Sequence, residues 1–585
     1  MWCKHCEKES FSEICEICGE ATEMDIPTMV YWCDDCNVPL IHKATDRNKG
    51  TCPLCGKATN YLCADLRPVF PEERLLYEIL TAKPFQYKDC SVWANNNRYY
   101  INGKAKIFSM AAHEKKDADK IRQQLDELAE QNDYIEFDKY IDRFVKANKL
   151  RLEYNINEAH TFIQEQAAKF PRESIVLSFS GGKDSTVTAD LAIKALSDPS
   201  LVHIFGDTTL EFPMTIEYAK RYREDNPKAI FKIAKNREQD FYNVCEDIGP
   251  PARMMRWCCS MFKTGPITRV LNSLYRDKYI LTFYGIRKSE SVSRSKYNRV
   301  EDNPEAVKIQ KQTVASPIID WKDIDIWLYL LAEDVDFNDA YRLGYDRVGC
   351  WCCPNNSGWS QFLASIYMPE QYNRFRSILL DFAVKMGKED PEEYVSSGGW
   401  KARQGGAGIE LSKNVAISFK PFSTDAKSFN YALNKPISVD LYEFFKPFGI
   451  LDFTMGKERL GEVYILDFKT KQPIMKLQGR RGTNELKITI LSTPIAGKTK
   501  INEIELKFKC QITKFQLCAG CHACENACKH SAIRLIKDGE GDTEYKYLID
   551  ENKCVHCFEC INHYTGGCYM RRVLLPRGKG YSDDK

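Results

Sequence analysis

Two hydrophobic patterns alternate along the middle of the chain. Short runs of β-branched and aromatic residues occupy 175–179, 201–205, 229–234 and 279–284, and longer stretches with helical spacing separate them. Strands that alternate with helices in this way pair in parallel, and their carboxyl ends meet at one edge of the sheet. The pattern therefore predicts an α/β fold with a parallel sheet and a functional site at that edge.

The regions on either side have other patterns. Amphipathic spacing predicts helices over about 116–132, 137–149 and 156–169, and the Asn-Gly pair within 99–108 predicts a hairpin. Residues 409–508 alternate as short apolar and polar runs, which predicts a small α+β domain of unknown role. None of these segments carries a residue pattern that indicates a particular chemistry.

Length and charge limit the kind of protein. A chain of 585 residues is too long for one hydrophobic core and predicts several domains. Its 83 Lys and Arg nearly balance its 81 Asp and Glu, so no global charge indicates a nucleic-acid or membrane surface. No apolar run approaches the roughly 18 residues of a spanning helix, and the start does not read as a signal peptide. We expect a cytoplasmic protein with no membrane partner.

A glycine-containing loop follows the first strand. The next helix begins near Asp184, so its unpaired N–H groups and positive dipole end face the loop. Because glycine lacks Cβ, the loop backbone can approach a bulky anion closely, and Lys183 adds a positive charge that we expect to be exposed. The spacing is not that of a Walker A loop, but it predicts a phosphate cradle. The residues of the cradle are Ser180, Gly181, Gly182, Lys183, Asp184 and Ser185.

The Ser-Gly-Gly-Lys-Asp-Ser run resembles the signature of the PP-loop ATP pyrophosphatases. This resemblance implies that the loop holds the β,γ-pyrophosphate of ATP, or part of another adenylyl nucleotide, while the α-phosphate is attacked. It also implies Mg²⁺ as a companion ion and catalytic roles for Lys183 and Asp184. The alternative is an ordinary strand-to-helix turn, which the serines on both sides of Gly-Gly-Lys-Asp disfavour.

Later motifs resemble the phosphoadenosine phosphosulfate reductase family. Asp207, at the end of the second predicted strand, falls in a segment similar to the family's Asp-Thr-Gly…Phe-Pro-Glu-Thr element. Arg287 and Arg294 fall in a segment similar to its Gly-x-Arg…Glu-Ser…Arg loop. The resemblance implies a site role for Asp207 and a grip on phosphate or sulfate for the two arginines. The alternatives are a helix cap for Asp207 and a solvated basic loop for the arginines.

The 25 cysteines indicate metal, because most of them form Cys-x-x-Cys units in a large chain that we expect to be intracellular. At the N-terminus, four closely spaced pairs suit two tetrahedral zinc sites, with rubredoxin-like iron as the alternative. Pairing by sequence order gives one site from Cys3, Cys6, Cys15 and Cys18, and another from Cys33, Cys36, Cys52 and Cys55.

The C-terminal cysteine spacing resembles a two-cluster bacterial ferredoxin. In that arrangement the fourth cysteine of each run binds the other [4Fe–4S] cluster, and two clusters in series relay electrons from an external donor. Two zinc ions are the disfavoured alternative, because four such closely spaced cysteines do not easily face one small ion. The implied sets are Cys518, Cys521, Cys524 and Cys568, and Cys554, Cys557, Cys560 and Cys528.

A third cluster is implied in the central domain. A Cys-Cys pair followed far downstream by Cys-x-x-Cys is similar to the cluster pattern of assimilatory adenylylsulfate reductases. Zinc or a redox dithiol is the alternative, and Cys352 is either a neighbouring thiol or an alternative ligand. The implied ligands are Cys258, Cys259, Cys350 and Cys353.

The predicted organisation has five parts. We expect a zinc-ribbon module over 1–62, a helical and hairpin connector over 63–169, and a PP-loop domain similar to phosphoadenosine phosphosulfate reductase over 170–400. A small α+β domain over 409–508 and a two-cluster ferredoxin-like domain over 510–585 follow.

Three functions compete at this point. The favoured one is ATP-dependent, reductive sulfur transfer, with a nucleic acid as a candidate acceptor and a sulfur-donor protein as a candidate partner. The close alternative is a phosphoadenylylsulfate or adenylylsulfate reductase that releases sulfite. The intact loop disfavours it, and so does the lack of a cysteine in 569–585, since such reductases use a C-terminal cysteine. A redox-sensing nucleic-acid-binding protein is the third, but such a sensor does not need a pyrophosphate cradle.

Overall fold

The computed structural model describes most of the chain. The described residues are 2–3, 5–6, 8–10, 12–22, 28–43, 50–114, 116–131, 134–237, 239–275, 278–291, 294–302, 311–403, 418–421, 425–518, 520–537, 545–562, 568 and 570.

The N-terminal part consists of short antiparallel strands that present cysteine knuckles. A two-stranded ribbon comes first, and a three-stranded sheet in the order β4-β3-β5 follows it. The three-stranded sheet packs into the main hydrophobic core, which it shares with the connector and the central domain. The strands are β1 Trp2–Cys3, β2 Lys8–Glu9, β3 Thr28–Cys33, β4 Val38–Lys43 and β5 Asn60–Cys63.

The connector is a four-stranded antiparallel sheet followed by helices. The predicted hairpin is confirmed, since β8 and β9 pair around a turn at Asn102 and Gly103, both with positive φ. The strands are β6 Arg67–Pro68, β7 Val92–Asn95, β8 Arg98–Ile101 and β9 Lys104–Ile107. The helices are α1 Pro71–Leu80, α2 Met110–His113, α3 Ala118–Ala129, α4 Ile135–Ala147 and α5 Lys149–Ala167.

The central domain is the predicted α/β fold. Its six-stranded sheet has the order β12-β11-β10-β13-β15-β14, parallel except for β14. Its strands are β10 Ile175–Phe179, β11 Val202–Asp207, β12 Ile230–Lys235, β13 Ile280–Tyr284, β14 Val300–Asp302 and β15 Gln312–Ala315. Its helices are α6 Lys183–Leu196, α7 Pro213–Asp225, α8 Phe241–Ile248, α9 Gly265–Tyr275, α10 Asp323–Ala332, α11 Gly358–Tyr367, α12 Pro369–Lys385 and α13 Pro391–Ser396.

The strand order places a crevice at the carboxyl end of β10. Successive strands run outward from β10 to β11 and β12, and the chain then returns to place β13 on the other side of β10. Val176 of β10 pairs with both Val202 and Thr282, so the three strands are closely in register. Ligands of open α/β sheets bind where the order reverses in this way.

The C-terminal part has a second hydrophobic core. A six-stranded antiparallel sheet in the order β16-β17-β21-β20-β19-β18 packs with α15 and the last hairpin. The predicted boundary between 508 and 510 lies within α15, whose residues contribute to one core on both sides of it. The strands are β16 Ser418–Pro421, β17 Ser428–Ala432, β18 Ile450–Asp452, β19 Glu462–Leu466, β20 Pro473–Gln478, β21 Glu485–Ile490, β22 Ile533–Lys537 and β23 Tyr545–Ile549. The helices are α14 Asp440–Glu443, α15 Ile501–Leu517, α16 Ala523–Ala527 and α17 Glu559–Asn562.

Within the described ranges, no helix combines the length and the apolar character that crossing a bilayer requires.

Candidate functional site

The phosphate loop has the close packing that requires its glycines. Gly181 has a φ of +72°, and a Cβ there would lie 2.8 Å from Cγ2 of Thr215. A Cβ on Gly182 would lie 3.2 Å from the hydroxyl of Tyr341. On the far side, a Cβ on Gly285, just after β13, would lie 2.5 Å from the carbonyl oxygen of Asp184. The loop, α6 and the end of β13 therefore meet at distances that side chains would prevent.

The two serines of the loop fix its shape. The hydroxyl of Ser185 donates to the carbonyl of Gly182 at 2.8 Å and accepts from the backbone N–H of Ser180 at 3.1 Å. The two serine hydroxyls lie 3.1 Å apart. From outside the loop, the hydroxyl of Tyr341 accepts from the backbone N–H of Lys183 at 3.1 Å. These bonds close the strand-to-helix turn on itself.

Lys183 is buried, so the expectation that it is exposed is wrong. Only 4% of its surface is accessible, because α10 and the segment after Tyr341 cover the start of α6. Its Nζ lies 3.2 Å from Oδ1 of Asp323 and donates to the carbonyl of Asp346 at 3.3 Å. Burial alone would lower the pKa of Lys183, but attraction to Asp323, Tyr341 and Asp184 outweighs it and raises the pKa. The lysine is therefore a fixed positive charge.

Arg287 completes a buried group of two cations and two carboxylates. Its guanidinium pairs with Asp184 through Nε and with Oδ1 of Asp323 through Nη2, the latter at 2.8 Å. Burial would raise the pKa of Asp323, but Lys183 and Arg287 lower it. We call Lys183, Asp184, Arg287 and Asp323 the charge cluster. The cluster lies at the strand edge that the hydrophobic pattern predicts.

The other two predicted site residues, Arg294 and Asp207, form ion pairs with residues outside this cluster. Arg294 pairs with Glu290, four residues earlier in the chain, and burial lowers the pKa of its guanidinium. Asp207 lies at the end of β11 and accepts from Lys235 of the neighbouring strand at 2.9 Å. The same carboxylate accepts from the backbone N–H of Thr209 at 2.8 Å, which is also how a turn-capping residue bonds.

The connector supplies charged residues that the sequence did not indicate. Asp65 accepts from the backbone N–H groups of Asp323 and Ile324 at 3.0 and 3.1 Å, and so caps the start of α10. Burial, and then the charge of Asp323, raise the pKa of Asp65 to about 6. Arg67 pairs with Oδ1 of Asp346 at 2.5 Å, which holds the segment that binds Lys183. No local pattern marks these contacts, because they join residues far apart in the chain.

The N-terminal cysteines form two compact groups. In each group all four Sγ atoms lie within 4.8 Å of one another. The Sγ atoms of the hydrogen-bonded thiol pairs are 3.4 to 3.9 Å apart. Four sulfurs at about 2.3 Å from one zinc ion in a tetrahedron lie about 3.8 Å apart, so the groups fit zinc. The structure brings together the sets of the predicted pairing: Cys3, Cys6, Cys15 and Cys18, and Cys33, Cys36, Cys52 and Cys55.

The C-terminal cysteines line two separate pockets with wider spacing. Among the described residues, no three of these thiols lie within 4.8 Å of one another, unlike the N-terminal groups. That spacing suits a multi-iron cluster better than one ion, and the all-cysteine donor set suits iron–sulfur chemistry. The two pockets contain the two sets implied by the ferredoxin resemblance: Cys518, Cys521, Cys524 and Cys568, and Cys528, Cys554, Cys557 and Cys560.

The central cysteines flank the carboxyl edge of the sheet. Cys258 precedes a π-helical turn, Cys259–Thr264, that continues directly into α9. Such turns are frequent at functional sites. Cys350 forms an isolated β-bridge with Glu211, and its Sγ lies 3.5 Å from Oγ1 of Thr208. The residues after β11 thus connect these thiols to the sheet edge.

Five thiols gather at this centre. Cys258 lies within electrostatic reach of Cys259, Cys350 and Cys352, and Cys352 lies within reach of Cys350 and Cys353. A hydrogen bond with Cys259, together with burial, raises the pKa of Cys258. The donor set fits an iron–sulfur cluster. Cys352 interacts electrostatically with Cys350 and Cys353, and also with the buried Cys245, so proximity does not by itself select the four ligands.

Two family models match the chain at these sites. The phosphoadenosine phosphosulfate reductase domain matches residues 174–356, and the 4Fe-4S dicluster domain matches residues 517–563. The first range contains the charge cluster and the central cysteines, and the second contains every C-terminal cysteine of the two pockets except Cys568. The chain therefore combines a phosphoadenosine phosphosulfate reductase domain with a 4Fe-4S dicluster ferredoxin domain. The resemblance inferred from the motifs is confirmed.

Relatives of the chain include enzymes and uncharacterized proteins. Over 268 residues it is 32% identical to an uncharacterized protein of Methanocaldococcus jannaschii, covering 46% of this chain and 54% of that protein. Over 212 residues it is 26% identical to the adenosine 5′-phosphosulfate reductase of Halalkalibacterium halodurans, covering 34% of this chain and 87% of that enzyme. The chain thus spans only about half the length of the first of these relatives.

One solved structure that resembles the chain is the phosphoadenylyl-sulfate reductase of Candida auris in its phosphate complex. It aligns with 36% of this chain and 95% of that chain, at 19% identity and a TM-score of 0.27.

Proposed function

We propose that the protein is an ATP-dependent sulfur transferase that draws electrons from its own ferredoxin domain. The observation that carries the proposal is the charge cluster at the end of β10, in which Lys183 and Arg287 lie against Asp184 and Asp323. Cations suit the oxygens of phosphate, and carboxylates suit Mg²⁺. A nucleoside triphosphate with its metal supplies both kinds of partner at once.

The proposed reaction has two steps. An oxygen of the acceptor attacks the α-phosphorus of ATP, and the bond to the β-phosphate oxygen breaks, releasing pyrophosphate. A sulfur nucleophile then replaces AMP at the activated position. Lys183 and Arg287 stabilise the negative charge that develops on the leaving pyrophosphate. A hydrosulfide donor makes the exchange redox-neutral, whereas a protein persulfide requires two electrons to release its outer sulfur.

The central cysteines are connected to the loop by one segment of chain. Tyr341 and Asp346 bind the backbone and side chain of Lys183, and the same segment continues to Cys350. We infer that Cys258, Cys259, Cys350 and Cys353 hold a [4Fe–4S] cluster. When bound, such a cluster would supply one-electron chemistry.

The packing of the two domains suggests the direction of electron flow. Helix α16, between Cys521 and Cys528, contacts α9 and the π-helical turn that carries Cys259. Arg269 of α9 lies 2.9 Å from Nδ1 of His522 and 3.6 Å from Oε2 of Glu525. Cys557, in the other pocket, is exposed. We infer that an external donor reduces the domain on the Cys557 side and that electrons leave on the Cys521 side.

The acceptor and sulfur donor can be sought directly. We propose a nucleic acid as the acceptor class to test first, and a sulfur-donor protein or hydrosulfide as the source. A reducing, cytoplasmic location fits the many thiol ligands. The experiment incubates anaerobic protein with ATP, Mg²⁺, hydrosulfide and either transfer RNA or duplex DNA, and measures thiolated nucleosides by mass spectrometry. Sulfur incorporation matched by AMP supports the proposal. AMP without incorporation, or no AMP at all, would contradict a nucleic acid as the sulfur acceptor.

A sulfonucleotide reductase is the second candidate, and the similarity to an adenosine 5′-phosphosulfate reductase supports it. In that reaction the bound nucleotide already carries sulfate, and two electrons convert adenylylsulfate to sulfite and AMP, or its 3′-phosphorylated form to sulfite and adenosine 3′,5′-bisphosphate. Arg287 and Lys183 would then bind sulfate and phosphate oxygens. Sulfite formation from adenylylsulfate, or from its 3′-phosphorylated form, in the absence of ATP favours this candidate.

A further inference from the structure

We propose that Lys514 is a built-in counter-ion for the two iron–sulfur clusters of the C-terminal domain and that it raises their reduction potentials. The proposal rests on the assignment of the eight C-terminal cysteines to two clusters. It does not depend on which sulfur reaction the central domain performs.

Lys514 reaches the space between the two cysteine sets from α15. Its side chain is buried, with 2% of the residue accessible. Nζ donates at 2.5 Å to the backbone carbonyl of Cys560, a residue of the second set. The same lysine lines the pocket that contains Cys518, Cys521, Cys524 and Cys568. One ammonium therefore touches the backbone of one ligand set and faces the other.

Among the residues that the structure describes, the acidic groups with the strongest effect on this lysine are thiols. These are the thiols of Cys524, Cys560, Cys568 and Cys510. Among the described residues, the buried cations Arg67, Lys183 and Arg287 form ion pairs with carboxylates, whereas Lys514 forms no such pair. An ammonium buried without a counter-charge costs several kcal/mol, so the clusters themselves are the natural source of negative charge.

The charge of the clusters explains the expected effect. A [4Fe–4S] core with two positive charges and four thiolates has a net charge of about −2, and reduction adds one more negative charge. A nearby fixed cation stabilises the reduced form more than the oxidised form. Lys514 therefore makes both clusters easier to reduce, with the larger effect on the cluster whose sulfurs lie nearer to Nζ.

The test is a redox titration of the whole protein in which EPR measures the reduced clusters at each potential. Wild type is compared with Lys514→Met. We expect the reduced-to-oxidised ratio of at least one C-terminal cluster to fall at least tenfold at a fixed potential, which is 59 mV for a one-electron couple. Lys509→Met is the matched control, since Lys509 lies on the same helix but pairs with Glu505 at 3.2 Å. Unchanged potentials in Lys514→Met, with both clusters present, would overturn the proposal.

A second variant covers loss of assembly. If Lys514→Met fails to retain iron, Lys514→Arg keeps the charge in a larger side chain. Full iron content and a potential near that of wild type in Lys514→Arg support the counter-ion role. Loss of iron from both variants would show that position 514 serves packing rather than charge, and would reject the proposal.

Discussion

Nζ of Lys183 lies 3.2 Å from Oδ1 of Asp323, and the same carboxylate oxygen lies 2.8 Å from Nη2 of Arg287. The two cations of the phosphate loop region are thus already paired within the protein. A nucleotide has to compete with Asp323 and Asp184 for them unless a metal ion takes the carboxylates. We therefore expect ATP binding to depend strongly on Mg²⁺.

The first prediction concerns Lys183 itself. Lys183→Met should slow turnover about 10²-fold or more, because a positive charge at the leaving group is lost. It should also lower the midpoint temperature of unfolding, because Asp323 and Asp184 then share one cation instead of two. Removing one partner of a buried ion pair lowers the free energy of unfolding by about 3–5 kcal/mol. Kinetics and calorimetry of the same preparation measure both effects.

Lys194 provides the control for that variant. It lies on the same helix, is partly exposed, and pairs with Asp190 and Glu333 at 2.8 Å. Exposed pairs contribute about 0–1 kcal/mol, so Lys194→Met should keep both turnover and midpoint near wild type. If Lys183→Met behaves like Lys194→Met, the charge cluster has neither role.

The second prediction concerns Asp65 and pH. Its pKa is raised from 3.8 to about 6 in the folded protein, so the folded state holds a proton more tightly than the unfolded state. The contribution of Asp65 to stability is then greatest below about pH 4 and is lost as pH rises through 6. Asn removes the negative charge but keeps only one acceptor oxygen for the N–H groups of Asp323 and Ile324. The lost hydrogen bond lowers the stability of Asp65→Asn by an amount that does not depend on pH, so we expect its stability relative to wild type to rise between pH 5 and 7.

Thermal unfolding of Asp65→Asn and wild type across that pH range gives the measurement. The relative gain should be at most about 3 kcal/mol, since each pKa unit corresponds to about 1.4 kcal/mol. A difference between the two proteins that does not change with pH would contradict the assignment of the raised pKa to Asp65.

The third prediction separates the five central thiols. Cys258→Ser and Cys353→Ser should each remove about four irons per chain and leave the EPR signals of the ferredoxin domain unchanged. Cys352→Ser is the matched variant, because Cys352 is buried and adjacent in sequence to Cys353. We expect it to retain the full iron content. Iron loss in Cys352→Ser but not in Cys353→Ser would exchange the roles of these two residues.

The fourth prediction is the metal content of protein prepared without oxygen. Three four-iron clusters and two zinc sites give about twelve irons and about two zincs per chain. Plasma emission spectroscopy with quantitative amino-acid analysis measures this ratio. About four irons per chain, with zinc in the remaining sites, would contradict the clusters assigned to the C-terminal pockets.

The strands of the central sheet and the cysteine sets were accessible from sequence because their signals are local. The five residues of β10 are mostly apolar and include two β-branched residues, which predicts a buried strand. The short spacing between the cysteines indicates which of them can bind one metal site. The burial of Lys183 was not accessible, since the residues that cover it come from Tyr341 to Asp346. Asp65 caps a helix 258 positions away, and neither hydrophobic periodicity nor a local sequence motif predicts such a long-range contact.

The most direct test of the central claim compares two reactions of the same anaerobic protein with reduced methyl viologen as electron source. One assay follows pyrophosphate from Mg²⁺–ATP in the presence of acceptor nucleic acid and hydrosulfide. The other follows sulfite from adenylylsulfate and its 3′-phosphorylated form without ATP. We predict pyrophosphate release that is lost in Lys183→Met, and no sulfite. Sulfite release without ATP, together with no pyrophosphate release from ATP, would contradict ATP-dependent sulfur transfer and establish the reductase instead.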